Sequence, residues 1–201
     1  GRSQGRDRQC RPAAMASAFA IENGASVYFI IRDPDDGIRD EEFLKPDKDE
    51  YCYPNLVIPV NQVLRLKQRT NAINLLFTGN TGKFQRMISI HVDSRSKGEN
   101  IDVFFYHNQQ SKKGEKTAEI LKDTFEGKYR KHQPGRGYQG SVSVRELYVL
   151  THSLPVSVYI ELGNIHHTLD QKRITDPNNR QAIANWLAEG LIRDYRYSRG
   201  D

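Results

Sequence analysis

A chain of 201 residues, 37% hydrophobic and 27% charged, suits one domain, which buries roughly 70% of the surface its unfolded form exposes. No apolar stretch approaches the ~20 residues that cross a bilayer, which argues against a helix that spans a membrane. A net charge of +5 and a pI near 9.2 favour a polyanionic neighbourhood, whether nucleic acid, anionic lipid or an acidic wall polymer. The charge is densest at Arg2, Arg6, Arg8 and Arg11 and from Lys128 to Arg136, and such blocks are usually solvated surface. Cys10 and Cys52 allow one disulfide at most and lack the second close pair of a metal knuckle, so they do not fix the redox compartment. No signal peptide is visible, so any export signal is expected to have been removed or to lie outside this fragment.

Residues 1 to 9 read as loop. Pro12 suits a first helical turn, and the alanine-rich stretch Ala13 to Asn23 continues the helix until Gly24 supplies the stop. Ser26 to Ile31 follows as a strand, Arg32 to Gly37 as a turn, and Ile38 to Asn55 as a long charged loop beside a crevice. Val57 to Leu76 carries apolar residues at helical spacing (Val60, Val63, Leu64, Leu66, Ala72, Ile73, Leu76) and closes at Gly79. The loop Gly79 to Lys83 invites a phosphate-binding reading, but that motif needs Gly five residues before Gly82 and Ser or Thr after Lys83, where the chain has Phe77 and Phe84.

Met87 to Asp93 is an apolar strand, and Ile101 to Tyr106 another, expected beside it. Lys113 to Tyr129 is an amphipathic helix that buries Ala118, Ile120, Leu121 and Phe125. After a glycine-rich loop from Pro134 to Gly140, Arg145 to Leu150 reads as a short strand and Val156 to Asn164 as a buried, β-branched one. Asp176-Pro177 opens the last helix, whose core stripe is Ile183, Trp186, Leu187, Leu191 and Ile192. The alternation predicts an α/β fold with a single mostly parallel, mixed sheet and helices on both faces.

Two of these strands deliver chemistry. The strand from Val156 carries Glu161 near its carboxyl end, and the strand from Met87 carries His91, at the edge where α/β sheets place their ligands. Taken singly, each is as readily a hydrogen-bonded or ion-paired structural residue; the longer pattern around them changes the weight. Of the other histidines, His166 and His167 are adjacent and point apart on an extended segment, while His152 precedes the Glu161 strand and sits at the rim.

Four local stretches in this order and spacing resemble the amidase-3 family, the zinc-dependent N-acetylmuramoyl-L-alanine amidases. Leu66 to Asn74 is similar to the family's helix signature, with Leu66, Arg69 and Asn74 at its offsets, and Ile88-Ser89-Ile90-His91 to its Ser-Ile-His strand. Arg145 to Leu150 resembles the strand that lines the substrate groove, and Ile160-Glu161-Leu162-Gly163-Asn164, with Asp170 and Arg180 downstream, the strand that bears the catalytic glutamate. The resemblance spans Pro12 to Tyr195 and implies Zn²⁺ as cofactor, His91 as a metal ligand, Glu161 as the catalytic base, and Arg145 and Leu147 as substrate-binding residues. It implies a peptidoglycan or muropeptide substrate, hydrolysis of the amide between N-acetylmuramic acid and L-alanine, and action in the periplasm or outside the cell. It implies no nucleic-acid partner.

The family also supplies a His in a Gly-His-Gly-Gly turn and a Glu before the first helix. Neither has a counterpart here, so residues 1 to 201 are expected to be the catalytic domain without its first strand and first ligand turn, with Asp7 the nearest acid to the missing Glu. Two other readings stay open: a wall-binding or regulatory homologue that has lost metal ligands, and a basic nucleic-acid-binding domain. No basic-aromatic RNA-binding motif supports the last, and it leaves the carboxylate that ends a buried strand unexplained.

Overall fold

The computed structural model describes residues 16–18, 20–33, 49–94 and 101–200. Its centre is a four-stranded sheet in the order β4-β7-β5-β6, formed by β4 (Arg86–Asp93), β5 (Phe104–His107), β6 (Ser141–Val144) and β7 (Val156–Asn164). The β4–β7 and β5–β6 pairs are parallel and the β5–β7 pair is antiparallel, so the sheet is mixed, as expected. A small antiparallel sheet of β1 (Ile31–Arg32), β2 (Tyr51–Cys52) and β3 (Leu56–Val57) stands apart from it.

Helices cover both faces because each presents apolar side chains, mostly from β7 on one and from the neighbouring strands on the other. Val158, Ile160 and Leu162 face α2 (Lys112–His132) and α5 (Pro177–Arg199), where they form the main core with Phe105, Leu121, Phe125, Ile183 and Leu187. On the opposite face Met87 and Tyr106 pack with Ile73 of α1 (Gln62–Gly79) and Leu150 of α3 (Tyr148–His152), with Tyr159 against them. Trp186 is the edge-to-face partner of Phe125, with ring centroids 5.7 Å apart, which matches its expected place in the core stripe.

The long helices begin where their caps allow. Ser111 Oγ accepts from the Gly114 N–H at the start of α2, and Arg130, Lys131 and His132 in its last turn favour the negative end of the helix dipole. Asp176 caps α5, with Pro177 at its first position. Residues 20–22 are helical and end at Gly24, which takes the left-handed conformation at φ 83°.

Five expectations need correction. The helix predicted from Val57 starts at Gln62, because Asn61 Oδ1 accepts from the Val63 and Leu64 N–H groups, while Leu56–Val57 pairs as β3. Val60, Val63 and Leu64 are consequently exposed, and only the later part of the stripe, at Ala72 and Ile73, is buried. The predicted strand from Ser26 shrinks to Ile31–Arg32, which pairs with β2. Tyr51–Cys52 of the predicted long loop forms β2, and the rest of that loop lies largely outside the described residues. The strand predicted from Arg145 to Leu150 divides: pairing with β5 ends at Val144, and Tyr148–His152 turns into α3. Finally, β5 lies beside β7 and not beside β4, so β7 is the strand flanked on both sides.

Candidate active site

The parallel β4–β7 ladder sets His91 and Glu161 directly opposite one another. Side chains of opposed residues project to the same face of a sheet, so the imidazole and the carboxylate come together. This is the face covered by α1 and α3. Along β7 the period of two brings Tyr159 to it as well, and along β4 it brings Ser89.

These neighbours hold the imidazole. The Tyr159 ring stacks on His91 with centroids 4.2 Å apart and an interplanar angle of 14°, and His91 Nε2 lies 3.1 Å from Ser89 Oγ. Burial pushes the His91 pKa down to about 4, and the positive charge of Arg69 on α1 adds to the shift, so the ring is neutral at pH 7. Glu161 is 3% exposed.

The lowered pKa fixes the sign of a pH effect. Between about pH 6.5 and 4 the unfolded chain binds a proton at His91 that the folded chain does not, so stability falls as pH drops through that window. The expected loss is about 2 kcal/mol at pH 5 relative to pH 7.5. Urea unfolding of the wild type and of His91→Gln at both values checks it, since the substitution should remove this part of the pH dependence.

Arg145 and Leu147 take different places. Arg145 donates its backbone N–H to His107 O, and its guanidinium lies 4.4 Å over the ring of Tyr106, on the same face of the sheet as Glu161 but on the neighbouring strand and two rungs away. Leu147 packs against the apolar cluster of Ile73, Met87, Tyr106 and Leu150, just before α3 begins. Asp7 lies outside the described residues. Cys52 is a free, fully buried thiol whose pKa burial raises, and Cys10 lies outside the described residues. His152 stacks on Tyr148 and its carbonyl accepts from Asn74 Nδ2, which ties α1 to α3. His132 stacks on Trp186, which packs on the face of the sheet opposite Glu161, and His166 is exposed.

A zinc ion takes three protein ligands and an open position. Among the described residues no three His, Cys, Asp or Glu side chains come together in a metal cluster. His91 offers a neutral imidazole, but its Nε2 already engages Ser89 and the charge of Arg69 acts on it. The described residues alone therefore do not make up a zinc site.

Residues 43–193, which include His91, Arg145 and Glu161, match the amidase-3 family profile, described as N-acetylmuramoyl-L-alanine amidase. The chain belongs to that family. Its fold is shared with solved amidases of low sequence identity. N-acetylmuramoyl-L-alanine amidase AmiC2 of Nostoc punctiforme superposes with a TM-score of 0.59 at 16% identity, over 96% of this chain and 84% of that one. The CwlD amidase from Clostridioides difficile, solved in complex with the GerS lipoprotein, gives 0.61 at 13% identity, over 92% and 83%. The N-acetylmuramoyl-L-alanine amidase of Clostridium difficile 630 gives 0.52 at 16% identity, over 69% and 66%. No curated protein matches in sequence.

Within this amidase-3 member, sequence reading singled out Arg145 but missed Tyr159 and Tyr106, which also frame the pair. Tyr159 and Ser89 were legible by the period of two from Glu161 and His91, but Tyr106 and Arg145 reach this face only because β5 docks antiparallel to β7.

Proposed function

We propose that this chain is a peptidoglycan hydrolase that cleaves the amide between N-acetylmuramic acid and the L-alanine of the stem peptide. The observation that carries the reading is the opposed pair of His91 and Glu161 at the carboxyl end of a parallel ladder, in a member of the amidase-3 family. A water molecule attacks the lactyl carbonyl carbon, and Glu161 takes its proton. The same proton passes to the alanine nitrogen as the carbon–nitrogen bond breaks, which releases a free lactyl carboxylate and a free α-amine. His91, held by Tyr159 and Ser89, borders the reacting carbonyl. The guanidinium of Arg145 attracts the anionic stem, and Leu147 shapes the apolar wall beneath it. Such a substrate places the work in the cell envelope, in the periplasm or outside the cell.

The family resemblance implies zinc, which when bound would polarise the carbonyl and lower the pKa of its water to about 7. Of the described residues His91 is the ligand it would take, with the others drawn from residues outside the described ones. The test joins product and metal analysis on the full-length protein. Mass spectrometry of digested peptidoglycan should find stem peptides with a free L-alanine amine, and dialysed protein should retain about one zinc per chain, lost in His91→Ala. Intact muropeptides after prolonged digestion sink the hydrolase reading, and cleavage by metal-free protein sinks the zinc.

A further inference from the structure

Beyond Glu161 both ladders of β7 change at once. On the β4 side, His91 opposes Glu161 but Asp93 opposes Asn164, so β7 carries one extra residue there, a bulge. On the β5 side, Phe104 opposes Glu161 and the ladder stops. Continued, it would set Ile101 opposite Asn164. Instead two side chains of α4 (Thr168–Thr175), a helix that sequence reading missed, stand between the strands.

Arg173 Nη2 donates to Leu162 O at 2.6 Å and to Ile101 O at 2.7 Å, so it bridges a carbonyl on each side. Asp170 Oδ2 accepts from the Asn164 N–H at 3.0 Å and from the Ile101 N–H at 2.9 Å. The two are paired, with Arg173 Nη2 3.1 Å from Asp170 Oδ1 and side chains only 12% and 1% exposed. Arg173 Nη1 also donates to Asp102 Oδ1 and to Tyr129 Oη. Gly163 makes the room: a Cβ there would lie 2.8 Å from Arg173 Nη2 and 2.9 Å from Ile174 Cδ1.

We propose that Arg173 and Asp170 form a wedge that ends the β5–β7 ladder at Glu161 and so sets where that carboxylate stands. They are positioning residues, and the inference rests on Glu161 acting as proposed above. An ion pair that merely fastened α4 would need only one anchor on the sheet. This pair instead takes over peptide hydrogen bonds on both strands, just past the rung that carries Glu161. The strands therefore splay at a fixed distance, and the carboxylate occupies the last regular rung on either side.

Gly163→Ala, which crowds the wedge, and Arg173→Lys, which keeps the charge but not the planar fork, test this in the whole chain with a soluble muropeptide. Each should lower kcat by about tenfold or more with KM within about twofold, because small displacements of a reacting group act on the transition state. Folded protein with kcat within about threefold of wild type overturns the wedge, and Arg173→Lys decides alone if Gly163→Ala does not fold. Should the wild type cleave nothing, the hydrolase reading fails by itself. The wedge is then judged by the ¹³C resonance of the Glu161 carboxyl, assigned by its loss in Glu161→Gln. Displacement of that resonance in Arg173→Lys supports the wedge, and an unmoved resonance overturns it.

Discussion

Glu161→Gln is expected to slow muropeptide cleavage by about 10²–10⁴-fold, the range that a positioned proton acceptor contributes. The amide has nearly the shape of the carboxylate and is tolerated on a strand whose backbone is bonded on both sides, but it cannot take a proton from water. The thermal midpoint should therefore stay close to wild type while the rate collapses. Chromatography of muropeptide products, together with a circular-dichroism melt, reads both quantities. Cleavage at more than about a tenth of the wild-type rate removes Glu161 from the role of base, since a lost proton acceptor costs at least tenfold more than that.

Asp194→Ala is expected to have the largest effect on stability. Asp194 is 1% exposed and accepts from Arg86 Nε at 2.6 Å and from Thr117 Oγ1 at 3.1 Å, which joins the start of β4 to α2 and α5. The Arg86 side chain is 12% exposed, so removal of its partner strands a nearly buried cation. Such a loss costs about 3–5 kcal/mol. In a chain of this size that lowers Tm by roughly 10 °C. Replacement of both partners by apolar residues, as in Arg86→Met with Asp194→Leu, should recover much of the loss, because it removes the stranded charge along with the pair. Scanning calorimetry of the single and double variants checks this. A single variant within about 1 kcal/mol of wild type means that water reaches Arg86 and solvates it.

How far the fold was legible depended on whether the signal was local. α2 and α5 announce themselves because a period near 3.6 and a cap at each start are properties of neighbouring residues, and Ala118, Ile120, Leu121 and Phe125 are buried as their spacing predicts. The stretch from Arg145 to Leu150 misled because its apolar residues fit a strand and a helical turn equally, and the choice fell to the point where β6 loses its partner. α4 has a weak apolar pattern and is held in place largely by Asp170 and Arg173, whose partners lie about 70 residues away in sequence.

By itself the sequence determined the segments of β4, β7, α2 and α5, that a histidine and a glutamate stand near the carboxyl ends of those two strands, and which family the motifs resemble. These follow from the preferences and spacing of residues close together in the chain. Only the tertiary structure decided that β7 lies between β4 and β5, that His91 and Glu161 share one rung and one face, and that a wedge from α4 parts the sheet just beyond them. Strand order and register are set by packing and hydrogen bonds between distant segments, and no local pattern encodes which distant partner a strand will meet.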